Sequence, residues 1–150
     1  MRYLAILLLV VSLVACGGGD ADNAFVASWT YDGTGMQVMD CTPDDFNDTF
    51  VPTGSWQLLV GDDADLETEA DVPCPAIAFD VSDRVATARP GQSCTDSEAG
   101  ITRTTTYTSY TLTLDADGKK LTEAVQGTFT AMGGVQVNCT LVRNTTSTRP

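Results

Sequence analysis

Apolar and polar residues alternate with a period of two along most of the chain. Phe25, Ala27, Trp29 and Tyr31 form one apolar face, which predicts a strand over 25–31. Asp32-Gly33-Thr34-Gly35 reads as a turn into a second strand over 36–41, and the polar, Pro-containing stretch 42–52 as a loop. Trp56, Leu58 and Val60 mark a strand over 55–60, and the weak acidic alternation of 64–70 a short or edge strand. Ile77, Phe79 and Val81 define the inward face of 74–81, and Ser82-Asp83 a tight hairpin into 84–88. The polar stretch 94–100 reads as a loop. The segment 101–114 is rich in Thr and Tyr, which favour pleated structure. Tyr110, Leu112 and Leu114 share a face there, while Tyr107 has the opposite parity, which requires either a bulge or an outward ring. Asp115–Gly118 is a hairpin loop into 120–130, with Leu121, Val125 and Phe129 inward, and Val135, Val137, Cys139 and Leu141 define a last strand over 135–143. Residues 144–150 read as a frayed, disordered tail.

No stretch sustains a helical period. Eight or nine strands at intervals of roughly ten residues predict an all-β fold, an antiparallel up-and-down meander. With eight strands the sheet can close into a barrel, packed or holding one small ligand, with a two-sheet β-sandwich as the alternative. The β domain is placed at 24–143.

Ahead of it, Arg2 precedes an apolar run from Tyr3 to Val14, too short to span a bilayer. Residues 1–15 have the basic start, short apolar core and small final residue of a secretory signal peptide. Leu13-Val14-Ala15-Cys16 resembles the bacterial lipobox. That resemblance implies a lipoprotein cut before Cys16, with a diacylglycerol on its sulfur and an acylated amino terminus. Each buried methylene adds about 0.8 kcal/mol, so such an anchor holds the protein to the membrane. Gly17 follows where an Asp favours inner-membrane retention, so the resemblance implies the outer membrane. Residues 16–23 then form a lipidated flexible tether.

Charge and cysteines narrow the picture. Removing a leader that carries Arg2 and no acid takes the formal charge from −12 to −13. That balance argues against nucleic acid and against docking on anionic headgroups. With Cys16 lipidated, Cys41, Cys74, Cys94 and Cys139 remain, an even number that in an exported domain reads as two disulfides with three possible pairings. Cys74 and Cys94 flank the Ser82-Asp83 hairpin, which pairs them. Cys41 then joins Cys139, pinning the first part of the meander to the last strand. The spacings lack the short Cys-x-x-Cys pattern of zinc sites, and the chain has no His, so no metal and no cofactor is expected.

The meander resembles a lipocalin in outline. That family has a Trp on its first strand with a late Arg packed over it. Here Ala27-Ser28-Trp29 supplies the Trp and Arg143 the Arg, and the resemblance implies a cation–π contact between Trp29 and Arg143. The chain departs from the family in having Ala27 where Gly is expected, while Gly54-Ser55-Trp56 fits the Gly-x-Trp pattern one or two strands late. The Thr-rich, four-cysteine body also resembles small envelope lipoproteins of Gram-negative bacteria, a likeness that brings no activity with it.

Candidate chemistry is sparse. Asp62, Asp63, Asp65, Glu67, Glu69 and Asp71 offer oxygen ligands for calcium, but on an alternating strand they form a solvated face. Without His, the Ser residues lack the usual general base, so no catalytic residue is assigned and the protein is not expected to be an enzyme. Trp29, Trp56, Phe79 and Tyr110 are the candidate walls of a ligand cavity, or simply core. The expectation is a non-enzymatic binding module at the envelope, holding a small apolar ligand. The alternative is a structural or interaction module with a packed core that docks an envelope protein, on a surface where Tyr107 points outward.

Overall fold

The computed structural model describes residues 21–71 and 73–150, so the expected leader, Cys16 and the start of the tether lie outside the described residues. A one-turn helix α1 (Ala21–Phe25) precedes ten strands: β1 (Ala27–Thr42), β2 (Asp48–Phe50), β3 (Ser55–Val60), β4 (Leu66–Thr68), β5 (Ala78–Ser82), β6 (Val85–Ala88), β7 (Ser93–Glu98), β8 (Ile101–Leu114), β9 (Lys120–Met132) and β10 (Gln136–Thr148). Every strand pairing is antiparallel. The fold is an all-β meander in which eight strands bond in a ring, in the order β1, β3, β4, β5, β6, β8, β9, β10 and back to β1. One bonded sheet, rather than two facing sheets, excludes the sandwich alternative.

The ring is irregular because its strands differ in length. β1, β8, β9 and β10 run for 13 to 16 residues, whereas β3 to β6 have three to six. The short strands complete the ring only along one half of the long ones: β3 pairs with Ala27–Thr30 of β1, and β6 with Thr111–Thr113 of β8. Along the other half, β2 borders β1 at Gln37–Met39 and β7 borders β8 at Ile101–Thr106. β2 and β7 have no bonded neighbour on their far sides among the described residues. The molecule is thus a closed ring at one end that opens into a trough at the other.

The apolar alternation fills both parts. Trp29, Leu58, Leu66, Phe79, Leu112, Leu114, Leu121 and Val125 are buried together within the ring, each large side chain contributing roughly 1.5–3 kcal/mol. The strand expected over 25–31 starts later: Phe25 ends α1, is fully buried, and its carbonyl accepts from Trp29 Nε1 at 2.9 Å. The trough holds a smaller cluster of Cys41, Cys139 and Val137, flanked by Met39, Phe129 and Ala131.

Three stretches depart from the expected boundaries. Asp32–Gly35 does not divide two strands. It is a bulge within β1, where Tyr31 and Gly35 face Ser147 and Thr145, so two extra residues loop out while the parity of the strand is kept. Gly33 and Gly35 both have positive φ, and a Cβ on Gly35 would run into the Asn144 carbonyl oxygen. Gly35→Ala is therefore expected to destabilise the β1–β10 seam by at least roughly 1–3 kcal/mol, read as a lower urea midpoint with an unchanged slope.

Residues 94–100 are not a loop. β7 pairs with β8 through a two-residue turn at Ala99-Gly100, both at positive φ. Cross-strand hydroxyl bonds Thr95–Thr104 and Ser97–Thr102, each 3.0 Å, replace apolar contacts there.

Nor is 144–150 a frayed tail. β10 continues to Thr148 and pairs with β1 and β9 throughout, with Thr145 and Ser147 buried. This extension also corrects the expected contact between Trp29 and Arg143. Arg149, carried past the strand end, lies over the Trp29 ring at 5.1 Å, and Arg143 lies over Tyr110 at 5.7 Å.

The cysteines pair as Cys41–Cys139 and Cys74–Cys94. Cys41 and Cys139 face each other in the β1–β10 register, so the first bond pins the seam where the meander closes. The second ties the segment ahead of β5 to β7.

Candidate functional site: a cavity with a polar floor

Where the ring opens into the trough, side chains no longer fill the interior. The register of β8 against β9 changes at this level. Tyr107 pairs with Gly127 but Ser109 with Gln126, so one extra residue bulges out of β8 and the parity of the strand reverses. Beyond the bulge Tyr110, Leu112 and Leu114 face inward; before it, Tyr107 does, half-buried and packed on the core. Tyr107 is thus not an outward docking residue. Gly127, at the inward position opposite, has no room for a side chain, because a Cβ would sit 2.5 Å from the Thr106 carbonyl oxygen.

The odd positions of β9 bring a carboxylate into that region. Leu121, Glu123 and Val125 share the inward face, and Glu123 is fully buried. Arg143 Nη2 donates to Glu123 Oε1 at 2.7 Å, Thr145 Oγ1 donates to Oε2 at 2.7 Å, and Tyr31 OH donates to Oε2 at 3.4 Å. Tyr110 OH donates to Oε1 in a short bond. Four strands (β1, β8, β9 and β10) supply this network. Arg143 also reaches Gln37 Oε1 at 3.4 Å, and its Nε is buried without a partner among the described residues.

Above this floor is a cavity of about 650 Å³, within the roughly 300–1,000 Å³ range of small-molecule sites. Tyr31, Trp56, Tyr107 and Tyr110 form its aromatic wall, with Ile77 and Arg143 beside them. The Trp56 ring is held in place by Nε1 donating to Ser147 Oγ at 3.2 Å, and its centroid lies 6.2 Å from that of Tyr31. The Cys74–Cys94 bond and the exposed acids Glu69 and Asp71 also line it.

The electrostatics follow from burial. Burial, then the Glu123 carboxylate, push the Tyr31 phenol up to about 12, with Arg143 acting the other way. Tyr110 is raised well above its ordinary value and Tyr107 is also raised, burial being the largest cause in both. Burial pulls the Arg143 guanidinium down, but Glu123 and the tyrosines outweigh it and the group is held charged.

These are three of the four tyrosines, the other being Tyr3 in the expected leader. A phenol whose folded value exceeds its unfolded value stabilises the fold fully below the unfolded value, and that stabilisation is lost as pH rises through the folded value. Stability is therefore expected to be insensitive to tyrosine up to pH about 10 and to fall between about 10 and 12. Phenolate absorbance of the folded domain should stay absent at pH 10 and appear together with unfolding.

Of the four expected cavity residues, Trp56 and Tyr110 line the cavity, while Trp29 and Phe79 are fully buried in the solid core of the ring. The wall residues Tyr31 and Tyr107 complete it. Among the described residues no group of three or more acids or cysteines is arranged to hold a metal ion.

A second hollow of about 510 Å³ lies in the trough, lined by Met39, Phe46, Ile101, Phe129, Val135 and Val137. Comparisons with protein-family models, with curated proteins and with solved structures find no match to this chain.

Proposed function

We propose that the protein is a non-enzymatic binding module of the bacterial envelope, held at the outer membrane by acyl chains on Cys16 and taking a small ligand in the ring cavity. The observation that carries the binding reading is the 650 Å³ space walled by Trp56, Tyr31 and Tyr107, all half-buried rather than packed away. Its wall mixes aromatic faces with hydroxyl, amide and charged groups, so the ligand is amphipathic rather than purely apolar. Two disulfides support an oxidising compartment.

Native mass spectrometry of the chain from Gly17 onward, purified oxidised from the periplasm, tests the binding reading. Mass lost on denaturation supports a retained ligand. A Cys16→Ala protein that stays with the membrane fraction would count against the anchor.

The alternative, an envelope interaction module, draws on a different observation. Phe46, Ile101, Met132 and Val135 are 46, 40, 57 and 56 % exposed at or beside the trough hollow. It gains ground if the native mass equals that of the bare chain.

A further inference from the structure

The charges around the cavity restrict what it can hold. Arg143 is its only cation among the described lining residues, and that charge is already matched by Glu123 at 2.7 Å. An anionic ligand would gain no free positive charge. It would also approach past Glu69 and Asp71, on a protein whose formal net charge is −12. A cationic ligand would find the Tyr110 face already covered by the Arg143 guanidinium at 5.7 Å, so that ring offers it no cation–π contact. An uncharged molecule needs neither a free positive charge nor a free Tyr110 face.

The polar groups then specify what kind of uncharged molecule. Arg143 lines the cavity with a side chain that is 19 % exposed, and its guanidinium carries more N–H donors than the bonds it makes to Gln37 and Glu123, so an acceptor oxygen in the cavity finds a donor there. Thr68 Oγ1 accepts from Ile77 N at 2.9 Å and keeps its own proton to donate. Gln57 and Thr105 add an amide and a hydroxyl along the wall. Beside these, Trp56 and Tyr31 are inclined by 31°, and Trp56 is fixed by its bond to Ser147, so two ring faces stand ready without further ordering. Aromatic faces bordered by hydroxyl, amide and guanidinium groups match a ring that is apolar on its C–H face and hydroxylated around its rim.

We propose that the cavity binds a neutral sugar, stacked on Trp56 and Tyr31, with a ring or hydroxyl oxygen accepting from Arg143. This inference rests on the cavity being a ligand site, and the test separates the two. The lipidated protein in nanodiscs is titrated calorimetrically with D-glucose, D-galactose and N-acetyl-D-glucosamine, and with the charged counterparts D-glucuronate and D-glucosamine. The neutral apolar dye N-phenyl-1-naphthylamine is titrated in parallel by fluorescence, against empty nanodiscs.

The expected result is binding of at least one neutral sugar, roughly tenfold tighter than either charged counterpart. Trp56→Ala should weaken it by a further tenfold or so, and Tyr107→Leu, another residue of the aromatic wall, should also weaken it and serves if Trp56→Ala fails to fold. A charged sugar binding as tightly as the neutral ones overturns the proposal, as does affinity unchanged in a folded Trp56 or Tyr107 variant. Dye binding without sugar binding overturns the sugar and keeps the cavity as a ligand site. Binding of neither overturns both.

Discussion

Glu123→Ala is expected to destabilise the domain by about 3–5 kcal/mol, a large share of the 5–15 kcal/mol that holds a typical domain together. The carboxylate is fully buried and accepts from Tyr110, Arg143, Thr145 and Tyr31. Removing it leaves the largely buried Arg143 charge without its partner and three hydroxyl donors without an acceptor. The loss therefore exceeds that of a surface ion pair such as Arg89–Asp80, whose partners are 39 and 60 % exposed and whose attraction is screened by water. The double variant Glu123→Leu/Arg143→Met removes both charges at once and should recover much of the loss, because no charge is then left buried alone. Urea unfolding of the two variants checks this. A Glu123→Ala protein within about 1 kcal/mol of the parent would mean that the network contributes little to the fold.

The second large effect concerns the seam. Replacing Cys41 and Cys139 by Ala is expected to lower stability by about 4.7 kcal/mol, because that bond closes a loop of 98 residues in the unfolded chain. Replacing Cys74 and Cys94 should lower it by only about 3.3 kcal/mol, because the separation is 20. The chain-entropy argument fixes the order of the two effects as well as their size. It fails if the shorter loop turns out to matter more. The location adds to the difference: Cys41 and Cys139 are 3 and 5 % exposed within the trough cluster, so their loss also removes packing. Thermal melts of the two double variants, oxidised and at one pH, give the comparison.

Most of the ring was legible because its inward residues are large and apolar at every second position. Trp29, Leu58, Phe79, Leu112, Leu121 and Val125 all lie where that alternation puts them. The disulfide pairing followed from the order of the strands. What stayed hidden was polar and inward. β10 continues past Arg143 on Thr145 and Ser147, which face the interior at the level of the Glu123 network and so look like surface residues in the sequence. That misplaced end also hid Arg149 and assigned its place over Trp29 to Arg143.

β7 has no large apolar side chain to mark it, and its pairing rests on backbone bonds and hydroxyl pairs. Glu123 was detectable by parity, since it falls between Leu121 and Val125 on the inward face. Its charge argued for the opposite face, and only the arginine and tyrosines gathered from three other strands reverse that preference. Tyr107 was ambiguous in the sequence for a definite reason: an odd-parity aromatic ahead of an even-parity face fits both a bulge and an outward ring. The register between β8 and β9 selects the bulge.

The unequal strand lengths also set how the molecule breathes. In the closed half each long strand is bonded on both sides, and an amide there exchanges with solvent only when the ring itself opens. In the trough, β2 and β7 are short, bordered on one side, and held by few apolar contacts, so their backbone bonds can fray while the ring persists, with β7 still tethered by the Cys74–Cys94 bond. Amide exchange should therefore be fast at Asp48–Phe50 and Ser93–Glu98, and slowest in the part of β9 paired to both β8 and β10 around Leu121–Val125. β7 carries Cys94, which lines the cavity and stays bonded to Cys74, so fraying of that strand loosens the cavity mouth only as far as the disulfide allows and leaves the core around Trp29 undisturbed.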